Sequence, residues 1–126
     1  PLPFGMCSNR RSLISVGTLA DFLIACIQST EAGNQAFVVA DSSAVSTADI
    51  VSSLRRGMNR SERLIPVPAS LVAVALRLIG KREMYTQLFC DLEIDNEKAR
   101  KLDGWAPCEN TRLELETVGK LFCESQ

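Results

Sequence analysis

Asn9, Arg10, Arg11 and Ser12 stand side by side just ahead of a helical stretch, and together they have the chemistry to hold a phosphate. Two guanidiniums offer charge-assisted, partly bidentate hydrogen bonds to anionic oxygens, with an amide and a hydroxyl beside them. Arginine pairs are also common on solvated surfaces, so residue type and spacing alone leave both readings open. A second group, Asp95, Lys98, Arg100, Gly104 and Trp105, falls within DNEKARKLDGWAP. Its plainer reading is structural. Asp95 caps a short helix, Lys98 and Arg100 lie outside, Gly104 ends the turn and Trp105 plugs an apolar gap.

Other chemistries lack their residues. The chain has no histidine, which removes Ser-His-Asp triads, Cys-His dyads and histidine-containing metal sites. The single tyrosine, Tyr85, has Phe89 rather than lysine four positions on, so a Tyr-Lys general base is missing. No G-x-G-x-x-G turn is present to cradle a dinucleotide. The five cysteines, Cys7, Cys26, Cys90, Cys108 and Cys123, are scattered without a C-x-x-C pair, which reads as small hydrophobes in a reducing cytoplasm rather than disulfides or metal ligands. On its own the chain is expected to supply no catalytic residue, to bind no cofactor and to hold no metal.

Residues that grip a ligand need elements to position them. With 126 residues, 46% hydrophobic and 23% charged, the composition is globular and sufficient for one core. The formal charge of −1 gives no general attraction to nucleic acid or to a membrane, so neither is expected as a partner and any anion binding must be local. The longest apolar stretch, Leu71 to Ile79, is interrupted by Arg77 and is far short of a membrane span. After a loop over PLPFGMCSNRRS, the spacing of Val16, Leu19, Ala20, Leu23, Cys26 and Ile27 predicts a helix with that face buried, ended at Gly33. Gln35–Ala40 reads as a buried strand, and Ser46-Thr47-Ala48-Asp49 as a capping box opening a helix through Ile50, Val51, Leu54 and Met58. Arg63–Pro68 reads as an edge strand, Ala69–Ile79 as a helix closed by Gly80, Glu83–Cys90 as a short helix and Leu92–Ile94 as a short strand. A final helix opens at Thr111 with Leu115, Val118, Leu121 and Phe122 inward. The sum is an α/β chain of about five helices and two or three short strands.

Three stretches resemble the C-terminal region of the extended short-chain dehydrogenase/reductases, specifically their NAD-dependent sugar-nucleotide epimerases. Leu2-Pro3-Phe4-Gly5 resembles the segment these enzymes lay along uracil. Arg11-Ser12-Leu13-Ile14-Ser15-Val16-Gly17-Thr18-Leu19-Ala20-Asp21 is similar to their R-D-Y-I-H-V-x-D-L-A-D stretch, with Ser15 and Thr18 in place of its histidine and second aspartate. Asp95 to Pro107 is similar to their D-x-s-K-A-r-x-L-G-W-x-P ending. The N-R-R-S form is similar to a branch found in lipopolysaccharide and O-antigen biosynthesis. The family's R-R-x-G-D segment has no clean counterpart; Lys81-Arg82-Glu83 is nearby without its glycine and aspartate.

The resemblance implies that residues 1–126 are the substrate-binding lobe of a longer, cytoplasmic, homodimeric enzyme. Its Rossmann domain, with NAD and the catalytic tyrosine, is absent here. By the same resemblance Arg11 reaches the nucleotide diphosphate, Leu2 and Phe4 recognise uracil through their backbone, and Asn9 and Arg10 are neighbours in the same UDP-sugar site. Loss of a hydride from sugar C4 and its return to the opposite face makes the parent a UDP-glucose 4-epimerase-like isomerase. Single delivery to a 4-keto sugar would make it a reductase, and a non-catalytic interaction module is the third reading. Without its other half, the chain is expected to associate with itself through the uncovered face.

Overall fold

The computed structural model describes residues 2–125, apart from the side chain of Arg82. Among the described residues six α-helices and one short 3-10 turn occur in chain order: α1 Val16–Gln28, the 3-10 turn Thr30–Ala32, α2 Thr47–Gly57, α3 Ala69–Leu78, α4 Arg82–Phe89, α5 Glu97–Arg100 and α6 Thr111–Glu124. They divide between two compact units. The first comprises Pro1–Arg11, Val45–Leu92 and Arg112–Gln126, and the second Ser12–Ala44 and Glu93–Thr111.

The expected strands do not form. Among the described residues the chain is mostly helical, with only isolated bridges: Leu2 with Leu64, Arg11 with Val45, and Arg11 with Leu92. The reason is visible at Gln35–Ala40, where side chains rather than a neighbouring strand satisfy the extended backbone. Lys98 Nζ donates to the Ala36 carbonyl at 2.8 Å, and Asn96 Nδ2 donates to the Ala40 carbonyl at 2.5 Å. At Arg63–Pro68, two prolines remove ladder donors and the Val67 N–H turns back to the Ile65 carbonyl, leaving one bridge where an edge strand is predicted. Leu92–Ile94 likewise contributes one bridge, at Leu92.

The second unit is organised around aromatic contacts. Ser15 caps α1, its Oγ accepting the Thr18 N–H at 3.1 Å, while Asp41 Oδ2 accepts the Ser15 N–H. The apolar core cluster is Phe22, Ala25, Ala99, Leu102 and Trp105, with Cys26, Ala32, Phe37 and Val39 packed against it. The Phe22 ring meets Phe37 and Trp105 edge-on, with centroids 5.5 and 5.0 Å away, the geometry the ring quadrupoles favour. Trp105 Nε1 donates to the Thr18 carbonyl at 3.0 Å, so the indole is buried with its polar atom satisfied. The inward face of α1 is therefore Thr18, Phe22 and Ala25, not the expected one; Val16 and Ile27 are each 85% exposed. Apolar residues lie on more than one side of α1, so periodicity alone does not choose the face, and the position of Trp105 does. Gly33 is not left-handed either; Asn34 takes that conformation at φ 57°.

The first unit is built on close backbone approach and polar pairing. The capping box over Ser46–Asp49 forms as predicted, Ser46 Oγ accepting the Asp49 N–H while Asp49 Oδ2 accepts the Ser46 N–H. Helices α2 and α6 meet at two glycines. A methyl group on Gly119 would lie 2.4 Å from the Leu54 carbonyl oxygen, and one on Gly57 would lie 2.0 Å from that of Glu116. Glycine at both points lets the two backbones touch. In α6 the buried positions are Thr111 and Gly119; of the residues predicted inward Leu115 is half-buried, while Val118, Leu121 and Phe122 are exposed. Helices α3 and α4 form as the sequence suggests, with Gly80 left-handed at φ 72° between them.

Candidate functional site

All five residues singled out for ligand binding lie in the first unit, on the segment that precedes α1. Leu2 joins the Arg63–Pro68 segment: its N–H donates to the Arg63 carbonyl at 3.2 Å and its carbonyl accepts the Ile65 N–H at 2.9 Å. Both backbone groups expected to face a base are thus already engaged. Gly5 extends this contact, its N–H donating to the Ile65 carbonyl at 3.1 Å. A side chain there would press within 3.0 Å of the Ile65–Pro66 backbone. Phe4 opens a turn whose carbonyl accepts the Cys7 N–H, and its ring lies 6.2 Å from that of Phe89, on which Tyr85 stacks.

Asn9 is buried with its amide fully used. Its Oδ1 accepts the Thr47 N–H at 3.0 Å, and its Nδ2 donates to the carbonyls of Leu88 and Cys90. Arg10 pairs through its backbone, the N–H to Asp91 Oδ1 at 2.7 Å and the carbonyl from the Leu92 N–H at 2.8 Å. Arg11 exchanges both backbone hydrogen bonds with Val45 and points its guanidinium at the end of α4, where Nη1 donates to the carbonyls of Gln87 and Cys90.

Residues 9–11 therefore grip one object: the last carbonyls of α4 and the turn after it, groups a helix leaves without internal partners. Sequence reasoning missed two participants. Thr47 donates its hydroxyl to the Leu88 carbonyl at 2.5 Å, yet in sequence it reads only as the interior of a capping box. Asp91 follows α4 with no motif around it.

The electrostatics are local. Burial pushes the Cys7 thiol up, which keeps it protonated and unreactive at neutral pH. Burial pushes the Asp49 carboxyl up, but the hydrogen bonds of the capping box and the Arg112 guanidinium at 2.9 Å outweigh this and hold it below the ordinary carboxylate value. Arg56, between Glu62 and Glu116, is raised by both carboxylates. Among the described residues no group of three or more His, Cys, Asp and Glu is placed to hold a metal ion. The residues present do not fit a dinucleotide: no strand runs into a glycine-rich turn and helix among those described.

In the second unit, the DNEKARKLDGWAP group does structural work. Asp95 Oδ1 accepts the Glu97 N–H at 2.9 Å, Gly104 is left-handed at φ 86°, and Trp105 fills the core. Lys98 does more than face solvent. It also lies 4.9 Å above the Phe37 ring.

No protein-family model matches the chain, and no solved structure matches it. A curated protein does: the chain is 31% identical over 126 residues to a UDP-glucose 4-epimerase of Vibrio cholerae. It spans 38% of that relative's length, and the similarity covers 99% of this chain.

Proposed function

We propose that this chain is the nucleotide-sugar-binding part of an NAD-dependent UDP-sugar 4-epimerase, with the dinucleotide and the catalytic groups carried by residues outside it. The observation that carries this reading is the similarity to a UDP-glucose 4-epimerase along essentially the whole chain. Arg11 and Arg10 supply the positive charge for the diphosphate. A guanidinium has five donors, and Arg11 gives its Nη1 group to the α4 carbonyls, leaving a fork in which Nε and Nη2 can meet phosphate oxygens. Asn9 positions that arginine by sharing the Cys90 carbonyl with it and holding the carbonyl of Leu88. Leu2 anchors the loop, and base recognition falls to Phe4 and its turn. The binding energy so gathered orients the sugar for reaction at C4. The outward apolar face of α1 is then the surface that the remainder of the enzyme covers.

The test is made in the full-length protein. Arg11→Ala is expected to raise KM for the UDP-sugar at least tenfold with a smaller change in kcat, since a charged hydrogen bond contributes roughly 1.5–3 kcal/mol. Calorimetric UDP affinity should fall in step. An unchanged KM overturns the role of Arg11, and absence of any UDP affinity in the parent protein points instead to an interaction module. Product analysis with UDP-glucose separates the enzymes, because a 4-keto reductase yields no UDP-galactose.

A further inference from the structure

Thr47 carries a hydroxyl that its own helix does not need. The start of α2 is already closed by the reciprocal bonds between Ser46 and Asp49. Thr47 is nevertheless buried, and its Oγ1 donates to the Leu88 carbonyl at 2.5 Å, near the end of α4. Its N–H is one of the donors that a helix start leaves without an internal partner, and it goes to Asn9 Oδ1 at 3.0 Å. That bond takes the oxygen of the Asn9 amide and leaves Nδ2 facing the Leu88 and Cys90 carbonyls, at 3.2 and 3.4 Å. Thr47 therefore reaches the end of α4 twice, directly through its hydroxyl and indirectly through the amide that it orients.

The end of α4 is also what Arg11 rests on. Arg11 Nη1 donates to the Gln87 and Cys90 carbonyls, which flank Leu88 in the chain. Where those carbonyls stand sets the plane of the guanidinium, and with it the direction of Nε and Nη2. Helix α4 has eight residues and no side-chain cap at its start. A helix of about two turns has little stability of its own, so contacts from outside it decide where its last turn stands.

We infer that Thr47 is a positioning residue for Arg11: its hydroxyl holds the last turn of α4 where the guanidinium is aimed at the nucleotide diphosphate. The inference rests on the proposed role of Arg11 and extends it to a residue that acts through that arginine rather than on the ligand. A threonine with only a structural role changes stability and leaves ligand affinity alone. A positioning threonine changes the affinity, and only while Arg11 is there to be aimed.

Calorimetric titration of the full-length protein with UDP tests this. Thr47→Val keeps the branched shape and the backbone N–H but removes the donor. It is expected to weaken UDP binding roughly threefold to tenfold, the worth of one neutral hydrogen bond. Thr47→Ser retains the hydroxyl and should stay within about twofold of the unaltered protein. In an Arg11→Ala background, Thr47→Val should change the affinity by less than about twofold, because the two residues act as one unit. If circular dichroism shows Thr47→Val unfolded, the same comparison is made with Thr47→Ala. Arg11→Ala alone reports on the reading beneath: unchanged affinity there overturns the role of Arg11, and this inference with it. Weakened binding in Arg11→Ala but not in Thr47→Val overturns the inference and leaves Arg11 in its role. So does an equal effect of Thr47→Val with and without Arg11, since the threonine then acts by another route.

Discussion

Phe22, Phe37 and Trp105 meet edge to face around Ala99 in the second unit, whereas the buried residues of the first include Asn9, Thr47, Ser53 and the paired glycines Gly57 and Gly119. The aromatic cluster distinguishes the second interior, which also buries Thr18, Asp41, Asn96 and Thr111, whereas contact between helix backbones distinguishes the first, which also buries Val45 and Cys7. An aromatic core tolerates small adjustments but loses much when volume is removed, while a polar, glycine-lined interior tolerates loss of apolar area and fails when shape or pairing changes. The candidate ligand segment sits in the second kind of environment, where hydrogen bonds fix side-chain direction.

The largest expected effect removes the aromatic centre. Trp105→Ala should destabilise the second unit by about 3–5 kcal/mol, through lost burial and the lost indole hydrogen bond to the Thr18 carbonyl, read as a fall in the urea midpoint. A loss below about 1 kcal/mol would mean that the ring cluster does not hold this unit. Gly119→Val attacks the first unit in the opposite way, by adding volume where Leu54 O leaves none. About 1–3 kcal/mol of destabilisation is expected, and a neutral result would break the claim that the α2 and α6 backbones touch. The smallest effect is at the α2 cap. Asp49 is held below the ordinary carboxylate value, so its contribution is present above about pH 4 and is lost as pH falls through the folded-state value. Asp49→Asn should cost about 1 kcal/mol at pH 7 and flatten the acid limb of the stability profile, whereas an unchanged acid limb would place the pH dependence elsewhere.

The helices and most of their ends were legible because their signals are local; the end of α1, expected at Gly33, came at Gln28. Ser46 with Asp49, Gly80 after α3 and Gly104 after α5 act through bonds or backbone angles within a few residues. The strands were not legible, because a strand exists only if a partner arrives. At Ala36 and Ala40 side chains from 96–98 arrived instead. For the candidate site, the Asn9–Arg11 cluster and its charge were readable, but its attachment to Gln87–Leu92 was not, since nothing near residue 9 encodes a helix end some eighty positions away.

The sequence by itself determined where most helices start and stop, though not the end of α1, which residues carry positive charge, and which catalytic chemistries lack their side chains. Tertiary structure alone decided which side of α1 is buried, that α6 packs through Gly119 rather than its large residues, and that Leu2 and Asn9 meet backbone. Caps and turns are settled by energies acting over one helical turn. The choice of an inward face among several apolar ones depends on which distant surface comes to meet it.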